Sequence, residues 1–281
     1  MTQQREVKKW IRGQMTSDGA GVTLRRLIAS QELDMLDPFL LFDAFGSDRP
    51  EEYIAGFPPH PHRGFETVTY MLAGKMRHED SAGNAGVIES GGVQWMTAGR
   101  GIIHSEKPEQ EEGLLAGFQL WVNLPASHKM MAPRYQEKAA DEIAVETRES
   151  GLTVKVVAGQ TSNGTQGVIE NSYVDPLYFV IDAPAGSVFE EILPFDHNAF
   201  VYVANGRISI GEKPTSIGAE QLAVLKEGDA IKVEAEQDST YIVVAGKPLN
   251  EPVERAGPFV MNTRAELEKA FADYRSGQFV S

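Results

Sequence analysis

Two motifs dominate this sequence: Phe57-Pro58-Pro59-His60-Pro61-His62-Arg63-Gly64-Phe65-Glu66-Thr67, and Gly99-Arg100-Gly101-Ile102-Ile103-His104-Ser105-Glu106. Each contains two potential metal ligands spaced two residues apart, His60 with His62 and His104 with Glu106. In an extended strand, residues two apart point to the same face. Two facing strands would direct three imidazoles and one carboxylate towards one point. This ligand set suits a first-row divalent metal, so the motifs predict a metal site inside a β-barrel.

The surroundings of the two pairs strengthen this prediction. Proline and glycine flank the pairs, and the second pair follows a Gly-x-Gly turn at 99–101. A predicted hairpin between the pairs can bring the two strands together, and three of the six histidines of the chain lie in the pairs. The alternative is two buried polar clusters, which would need hydrogen-bond partners of their own.

Composition favours a soluble, cytoplasmic protein with one large or two medium domains. The 281 residues are 42% hydrophobic, and the absence of cysteine excludes disulfides and thiolate ligands. The N-terminal residues 1–10 lack an apolar signal core, and apolar runs such as Tyr241–Ala245 are too short to span a bilayer. We therefore expect no membrane association.

The charge of the chain disfavours direct binding to nucleic acid. The formal net charge is −14, which repels phosphates unless a local basic patch compensates. The compact basic clusters are Lys8-Lys9 and Arg25-Arg26. We interpret both as solvated strand faces.

Short strands with period-2 alternation and regular turn signals predict an all-β sandwich or barrel rather than βαβ units. The predicted strands are Val7–Ile11, Val22–Ile28, the hairpin Phe65–Met76 with its turn near Ala73-Gly74, Val87–Met96, Leu114–Leu124, Thr153–Ala158, Leu177–Ile181, Phe200–Val203, Gln221–Leu225, Ala230–Glu234 and Thr240–Ala245. Pro125–Pro133 interrupts the pattern and is interpreted as a linker. The expected domains are a metal-binding barrel over 1–132 and a second barrel over 133–281.

The two halves of the chain resemble each other. Val68–Met76 matches Phe200–Ile208, with a tyrosine four residues before a turn glycine in both. This similarity indicates duplication of one barrel. Aligning Gly206 with Gly74 places Ile192 and Pro194 where His60 and His62 stand, so we expect the second barrel to be metal-free.

A short helix is predicted near the C-terminus. Thr263-Arg264-Ala265-Glu266 is a capping box, and Leu267, Ala270, Phe271 and Tyr274 follow on one apolar stripe before Gly277. The helix is expected to pack on a barrel. The alternative is a docking helix for a partner.

A second carboxylate competes for the metal. His60-x-His62-x3-Glu66 resembles the first motif of the cupin superfamily. On a straight strand Glu66 would lie ~13 Å beyond His62, whereas Glu106 lies ~7 Å from His104. Geometry favours Glu106, which needs no bend of its strand. The preference is modest, because a bend at Gly64 would bring Glu66 to the metal.

The motifs 60–70 and 94–106, together with Gln119–Pro125 and Gly257–Asn262, resemble the pirin family. The resemblance covers nearly the whole chain. It implies two tandem cupin-type β-barrels (a bicupin) with a short C-terminal helix. It also implies that the metal, typically Fe(II), is bound by His60, His62, His104 and Glu106, and that Glu66 is not a ligand. Manganese, cobalt, nickel, copper or zinc are alternative metals.

The resemblance further implies quercetin 2,3-dioxygenase activity, the oxidative ring opening of a flavonol by O2. Glu106 would act as the catalytic base. Phe57, Met96 and Trp121 are candidates to hold a flat substrate, although a plain core role is the favoured interpretation of all three. His78 and His128 lack ligand-spaced companions and are expected in surface or loop positions.

Two other functions stay open. The family resemblance also implies a non-enzymatic, metal- or redox-dependent regulator that binds a protein partner, and the acidic charge suits a protein rather than DNA. A purely structural metal is the third possibility. Four protein ligands leave open coordination positions, which argues against it because structural sites are normally closed.

Overall fold

The computed structural model describes residues 2–170 and 173–280 and is dominated by β-strands. The first twelve strands are β1 (Val7–Ile11), β2 (Gln14–Asp18), β3 (Val22–Ile28), β4 (Phe39–Ser47), β5 (Phe57–His62), β6 (Phe65–Ala73), β7 (Lys75–Asp80), β8 (Ala85–Glu89), β9 (Val93–Thr97), β10 (Ile102–Pro108), β11 (Leu115–Asn123) and β12 (Arg134–Lys138). They are followed by β13 (Ala144–Thr147), β14 (Thr153–Ala158), β15 (Leu177–Ala183), β16 (Val188–Ile192), β17 (Asn198–Asn205), β18 (Arg207–Ile210), β19 (Thr215–Gly218), β20 (Leu222–Leu225), β21 (Ala230–Ala235), β22 (Ser239–Gly246), β23 (Glu254–Ala256), β24 (Phe259–Met261) and helix α1 (Arg264–Arg275).

The all-β, two-barrel fold predicted from the sequence is confirmed. The predicted hairpin turns at Gly74, whose φ of +82° lies in the left-handed region that glycine adopts without strain. One predicted strand is wrong. Val87–Met96 is two strands, β8 and β9, because a turn at Gly91 with φ +83° separates them.

The chain forms two compact units that are not its two halves. One, which we call the metal unit, comprises Gln14–Ser30, Phe39–Ala140 and Leu249–Ser281. The other, which we call the companion unit, comprises Met1–Gly13, Gln31–Pro38 and Asp141–Pro248. This grouping differs from the expected division at residue 132, because strand pairing depends on contacts between segments that are distant in sequence. Residues 125–133, interpreted as a linker, are followed by β12, which pairs with β9 within the metal unit.

Each unit contains a seven-stranded and a four-stranded sheet. In the metal unit the strand orders are β12-β9-β6-β11-β4-β3-β2 and β5-β10-β7-β8. In the companion unit they are β1-β20-β17-β22-β15-β14-β13 and β16-β21-β18-β19. The two sets of orders are equivalent when β6 is matched with β17, as the Gly74–Gly206 alignment requires. This correspondence supports duplication of one barrel.

Helix α1 begins at the predicted capping box. The Thr263 hydroxyl accepts a hydrogen bond from the Glu266 amide, and the Glu266 carboxylate accepts one from the Thr263 amide at 2.9 Å. Its buried face, Leu267 and Ala270, packs with Phe259 and Phe279 within the metal unit. No helix in the described part of the chain is long and apolar enough to cross a membrane.

Candidate metal centre

Three histidines converge in the metal unit. Strands β5 and β10 pair antiparallel with His60 opposite His104, and His62 lies two residues along β5 on the same side. The ring centroids are 4.7 Å apart for His60–His62, 4.4 Å for His60–His104 and 5.0 Å for His62–His104. One nitrogen from each ring lies within 4.8 Å of the others. Among the described residues this is the one group of three or more candidate ligands that meets such a limit.

The nitrogen atoms of this group have the pattern that a bound cation would satisfy. His60 Nδ1 lies 2.8 Å from the Pro58 carbonyl and must donate to it, so His60 Nε2 carries a lone pair. That atom lies 3.1 Å from His62 Nε2. Neither ring nitrogen of buried His104 forms a hydrogen bond within the described residues. Buried polar atoms normally have partners, and a metal ion would supply them here.

Burial favours the neutral form of His62 and His104, the form that a metal ligand needs. Burial lowers the pKa of His62 well below its usual value, and His60 lowers it further. The pKa of His104 is also well below the usual value, through burial first and then through neighbouring His62 and His60. Neutral imidazole offers a lone pair to a metal, whereas imidazolium does not.

Glu106 lies beside the three-histidine group without joining it. Its side chain is buried and lines the same cavity as His60 and His62. Its oxygens are not part of the tight group of nitrogens, and the pairing of β10 with β5 shifts register between His104 and Glu106. Burial raises the pKa of the Glu106 carboxyl, against opposing effects of His60 and His78. A carboxyl with a raised pKa accepts a proton more readily.

Glu66, the competing carboxylate, is also outside the group. It is fully buried on β6, and its Oε1 accepts a 2.6 Å hydrogen bond from the Thr97 hydroxyl. The chain does turn at Gly64, with φ +89°, but this turn starts strand β6 and places Glu66 opposite Thr97.

The turn after His62 is fixed by buried cations. Arg63 donates to the Arg100 carbonyl and, at 2.7 Å, to Asp273 of α1. Buried Lys129 donates to the carbonyls of Gly64 and Val260 at 2.7 and 3.1 Å. A Cβ at position 64 would clash with the Val260 carbonyl, so this close approach requires glycine.

A cavity of about 780 Å³ opens beside the histidines, which is in the size range of small-molecule sites. His60, His62 and Glu106 form part of its wall. Its apolar wall includes Leu24, Leu41, Phe45, Phe57, Met76 and Trp121. Of the three substrate-holding candidates, Phe57 and Trp121 line this cavity. Met96 does not, since it is fully buried in a cluster with Ala98 and Ile102.

Sequence reasoning missed a charged group on the cavity wall. Arg26, interpreted as part of a solvated strand face, instead lines the cavity and pairs with Asp43 through two hydrogen bonds of 2.9 and 2.7 Å. Asp43 is 3% exposed, although it stands inside the apolar run 39–45. A lone aspartate in such a run was the signal that could have revealed it.

Two other histidines, His78 and His128, were expected in surface or loop positions. The interpretation of His78 is wrong, because it is 4% exposed and its Nε2 contacts the Glu137 carboxylate. It lies on β7 directly opposite Glu106, so the alternation of a barrel strand turns it inwards. His128 ends a short 3-10 turn and contacts the Ser127 hydroxyl, as expected for a loop residue.

In the companion unit, the positions equivalent to the histidine pair carry apolar side chains. Ile192 pairs with Ala230 across β16 and β21, as His60 pairs with His104 across β5 and β10. Neither Ile192 nor Pro194, the residues at the positions equivalent to His60 and His62, offers a side-chain ligand atom. Buried His197 lies in the turn after β16, away from both positions.

Comparison with known proteins identifies the family. The Pirin family model matches residues 21–122, and the model of the pirin C-terminal cupin domain matches residues 178–280. The chain belongs to the pirin family of the cupin superfamily. This family assignment, made from the motifs around His60 and His104, is confirmed.

Relatives cover essentially the whole chain. A pirin-like protein of Caulobacter vibrioides is 52% identical, covering 98% of this chain and 99% of its own length. A Pseudomonas aeruginosa protein, provisionally named quercetin 2,3-dioxygenase, is 46% identical over 99% of both chains. The crystal structure of a quercetin 2,3-dioxygenase from Acinetobacter baumannii superposes with a TM-score of 0.91 at 33% identity, covering 99% of both chains. The histidine group in a cupin fold indicates a site for a divalent metal.

Proposed function

We propose that this pirin binds one divalent metal, Fe(II), through His60, His62, His104 and Glu106 and opens the ring of a flavonol with O2, as a quercetin 2,3-dioxygenase does. The observation that carries the proposal is the group of three converging imidazoles, in which both nitrogens of buried His104 have no hydrogen-bond partner among the described residues and His60 and His62 line a cavity of about 780 Å³. The names of the Pseudomonas and Acinetobacter relatives support the choice of reaction.

Each protein group has a separate task in this reaction. Phe57 and Trp121 offer aromatic faces for a flat ring system, and Trp121 also packs edge-on against His62 at 5.2 Å. Glu106 lines the same cavity as His60 and His62, and its carboxylate takes the proton from the flavonol 3-hydroxyl. The apolar wall excludes water from the resulting flavonolate. When bound, a redox-active metal supplies the positions at which flavonolate and O2 react.

The test is oxygen uptake by protein loaded anaerobically with iron(II), started by quercetin and O2. We expect uptake by the wild type and a loss of roughly 100-fold or more in Glu106→Gln, since the amide cannot take the proton. Glu66→Gln is the matched control, because Glu66 is equally buried but accepts from Thr97 outside the group. It should retain uptake.

Metal analysis and an unfolding curve must accompany each variant, so that loss of iron or of the fold is not mistaken for loss of a base. No uptake by wild-type protein with iron bound would overturn the proposed function. Equal losses in Glu66→Gln and Glu106→Gln would overturn the role given to Glu106.

A further inference from the structure

The cavity wall also carries an ordered row of polar side chains, on the same strands as several of its apolar residues. Arg26, Asp43, Gln119 and Thr69 face one another in register across the neighbouring strands β3, β4, β11 and β6. Residues directly opposite in antiparallel strands point to the same side of the sheet. All four line the cavity that contains His60, His62 and Glu106. We call them the polar row.

The polar row retains hydrogen-bonding capacity that the protein does not use. Thr69 donates to Gln119 Oε1 at 2.6 Å, while Gln119 Nε2 donates to no group in the described residues. Arg26 uses Nε and Nη2 for Asp43 and Asp18, and its Nη1 forms no hydrogen bond within the same part of the chain. Asp43 accepts two hydrogen bonds from Arg26, which leaves lone pairs on its oxygens.

The charges select the kind of ligand. Arg26 is held between two carboxylates, those of Asp18 and Asp43, so the ionised cluster carries one net negative charge. Such a cluster repels a carboxylate or phosphate on a ligand. Neutral groups that both donate and accept, such as phenolic hydroxyls, can use the Asp43 lone pairs and the Gln119 amide together.

We propose that the polar row recognises the outer-ring hydroxyls of a polyhydroxylated aromatic substrate whose central ring faces the histidines. The inference rests on the proposed function, because it assumes that the 3-hydroxy-4-keto edge of the central ring of a flavonol is placed at the metal. The row then distinguishes hydroxylated flavonols from those with bare outer rings. A site that hydrogen-bonds a substrate hydroxyl discriminates strongly against an analogue without it.

The experiment compares the binding of quercetin with that of 3-hydroxyflavone, which lacks the outer-ring hydroxyls. Both are titrated without oxygen into iron(II)-loaded protein, and the dissociation constants are measured by calorimetry. Wild type should prefer quercetin. Gln119→Leu should reduce this preference by roughly tenfold, as loss of a buried hydrogen bond does, and should change 3-hydroxyflavone binding less than about twofold.

Two threonines of β6 provide a matched pair. Thr69→Val removes a hydroxyl of the polar row and should reduce the preference in the same direction. Thr67→Val changes a threonine that is equally buried on the same strand but does not line the cavity, so the preference should stay unchanged. Unfolding curves confirm that each variant folds.

Several results would overturn the inference. These are no preference in the wild type, an unchanged preference in Gln119→Leu, and equal weakening of both ligands. Failure of the proposed function gives a different result. A preference that depends on Gln119, without any oxygen uptake, leaves the recognition role standing and removes the dioxygenase reaction.

Discussion

The corresponding rows of the two barrels have opposite chemical character. In the companion unit, the strands equivalent to those of the polar row carry an aliphatic and aromatic row, Val156, Phe179, Val243 and Val201. All four belong to one buried hydrophobic cluster. Two barrels with the same strand order therefore show that this fold needs no polar group at these positions. Burying polar groups costs stability, so we expect the polar row of the metal unit to serve a purpose other than folding.

The largest expected difference between the two units is the effect of removing a histidine on metal binding. His104→Ala removes a proposed ligand, whose two nitrogens have no partner among the described residues, and should weaken metal binding by more than about 100-fold, beyond the effect typical of residues that only support a ligand. The measurement is metal per chain after dialysis. His197→Ala is the control, since His197 is a buried histidine of the companion unit with a pKa lowered by burial. Similar metal loss in both variants would contradict the assigned site.

The second test places a polar side chain in the apolar row of the companion unit and an apolar side chain in the polar row of the metal unit. Val243 is fully buried opposite Phe179 and Val201, and Val243→Gln should lower the free energy of unfolding by about 3–5 kcal/mol through an unpaired amide and overpacking. Gln119→Leu, a polar-to-apolar change at the equivalent position, should cost less than about 1 kcal/mol, since Thr69 can donate to water instead. Denaturant unfolding measures both. Equal losses would show that the polar row is structural.

The smallest expected effect is a pH dependence specific to the metal unit. Burial raises the pKa of Asp43 to about 6, although Arg26 opposes the shift. The folded state then binds this proton more tightly than the unfolded state, so the contribution to stability is complete below the unfolded pKa and is lost as pH rises through 6. Between pH 5 and 7 wild type should lose about 1 kcal/mol relative to Asp43→Asn.

Denaturant unfolding of both proteins at the two pH values provides this difference. Phe179→Leu, in the equivalent apolar row of the companion unit, introduces no titratable group and should follow the pH dependence of the wild type. Parallel stability curves for wild type and Asp43→Asn would contradict the raised pKa of Asp43.

Local sequence patterns were sufficient to predict most strands and the convergence of the histidines. Alternation defined the bounds of β1, β3 and β14, and the spacing of His60, His62 and His104 predicted the group that the structure contains. Both depend on strand geometry over a few residues. The capping box at Thr263 was similarly predictable, because it involves residues three apart.

Properties that depend on distant segments could not be predicted in this way. Arg26 was assigned to a solvated face because its partner, Asp43, lies on the next strand and does not follow from the local pattern. The register shift beside Glu106 arises from the pairing of β10 with β5. The composition of the units depends on contacts that place Met1–Gly13 in the companion unit and Leu249–Ser281 in the metal unit. The sheet order, which fixes the polar row, is likewise a property of the whole unit.

The attachment of Arg63 and Gly64 to residues near the C-terminus has a consequence for biosynthesis. Arg63 directly follows His62, yet its partner Asp273 and the Val260 carbonyl that meets Lys129 are translated only after residues 141–248 of the companion unit. While the ribosome is still elongating the chain, the first histidine pair lacks these supports. We therefore expect the turn after His62 to become ordered only when the polypeptide is nearly complete, even though His60 and His62 are among its earlier residues.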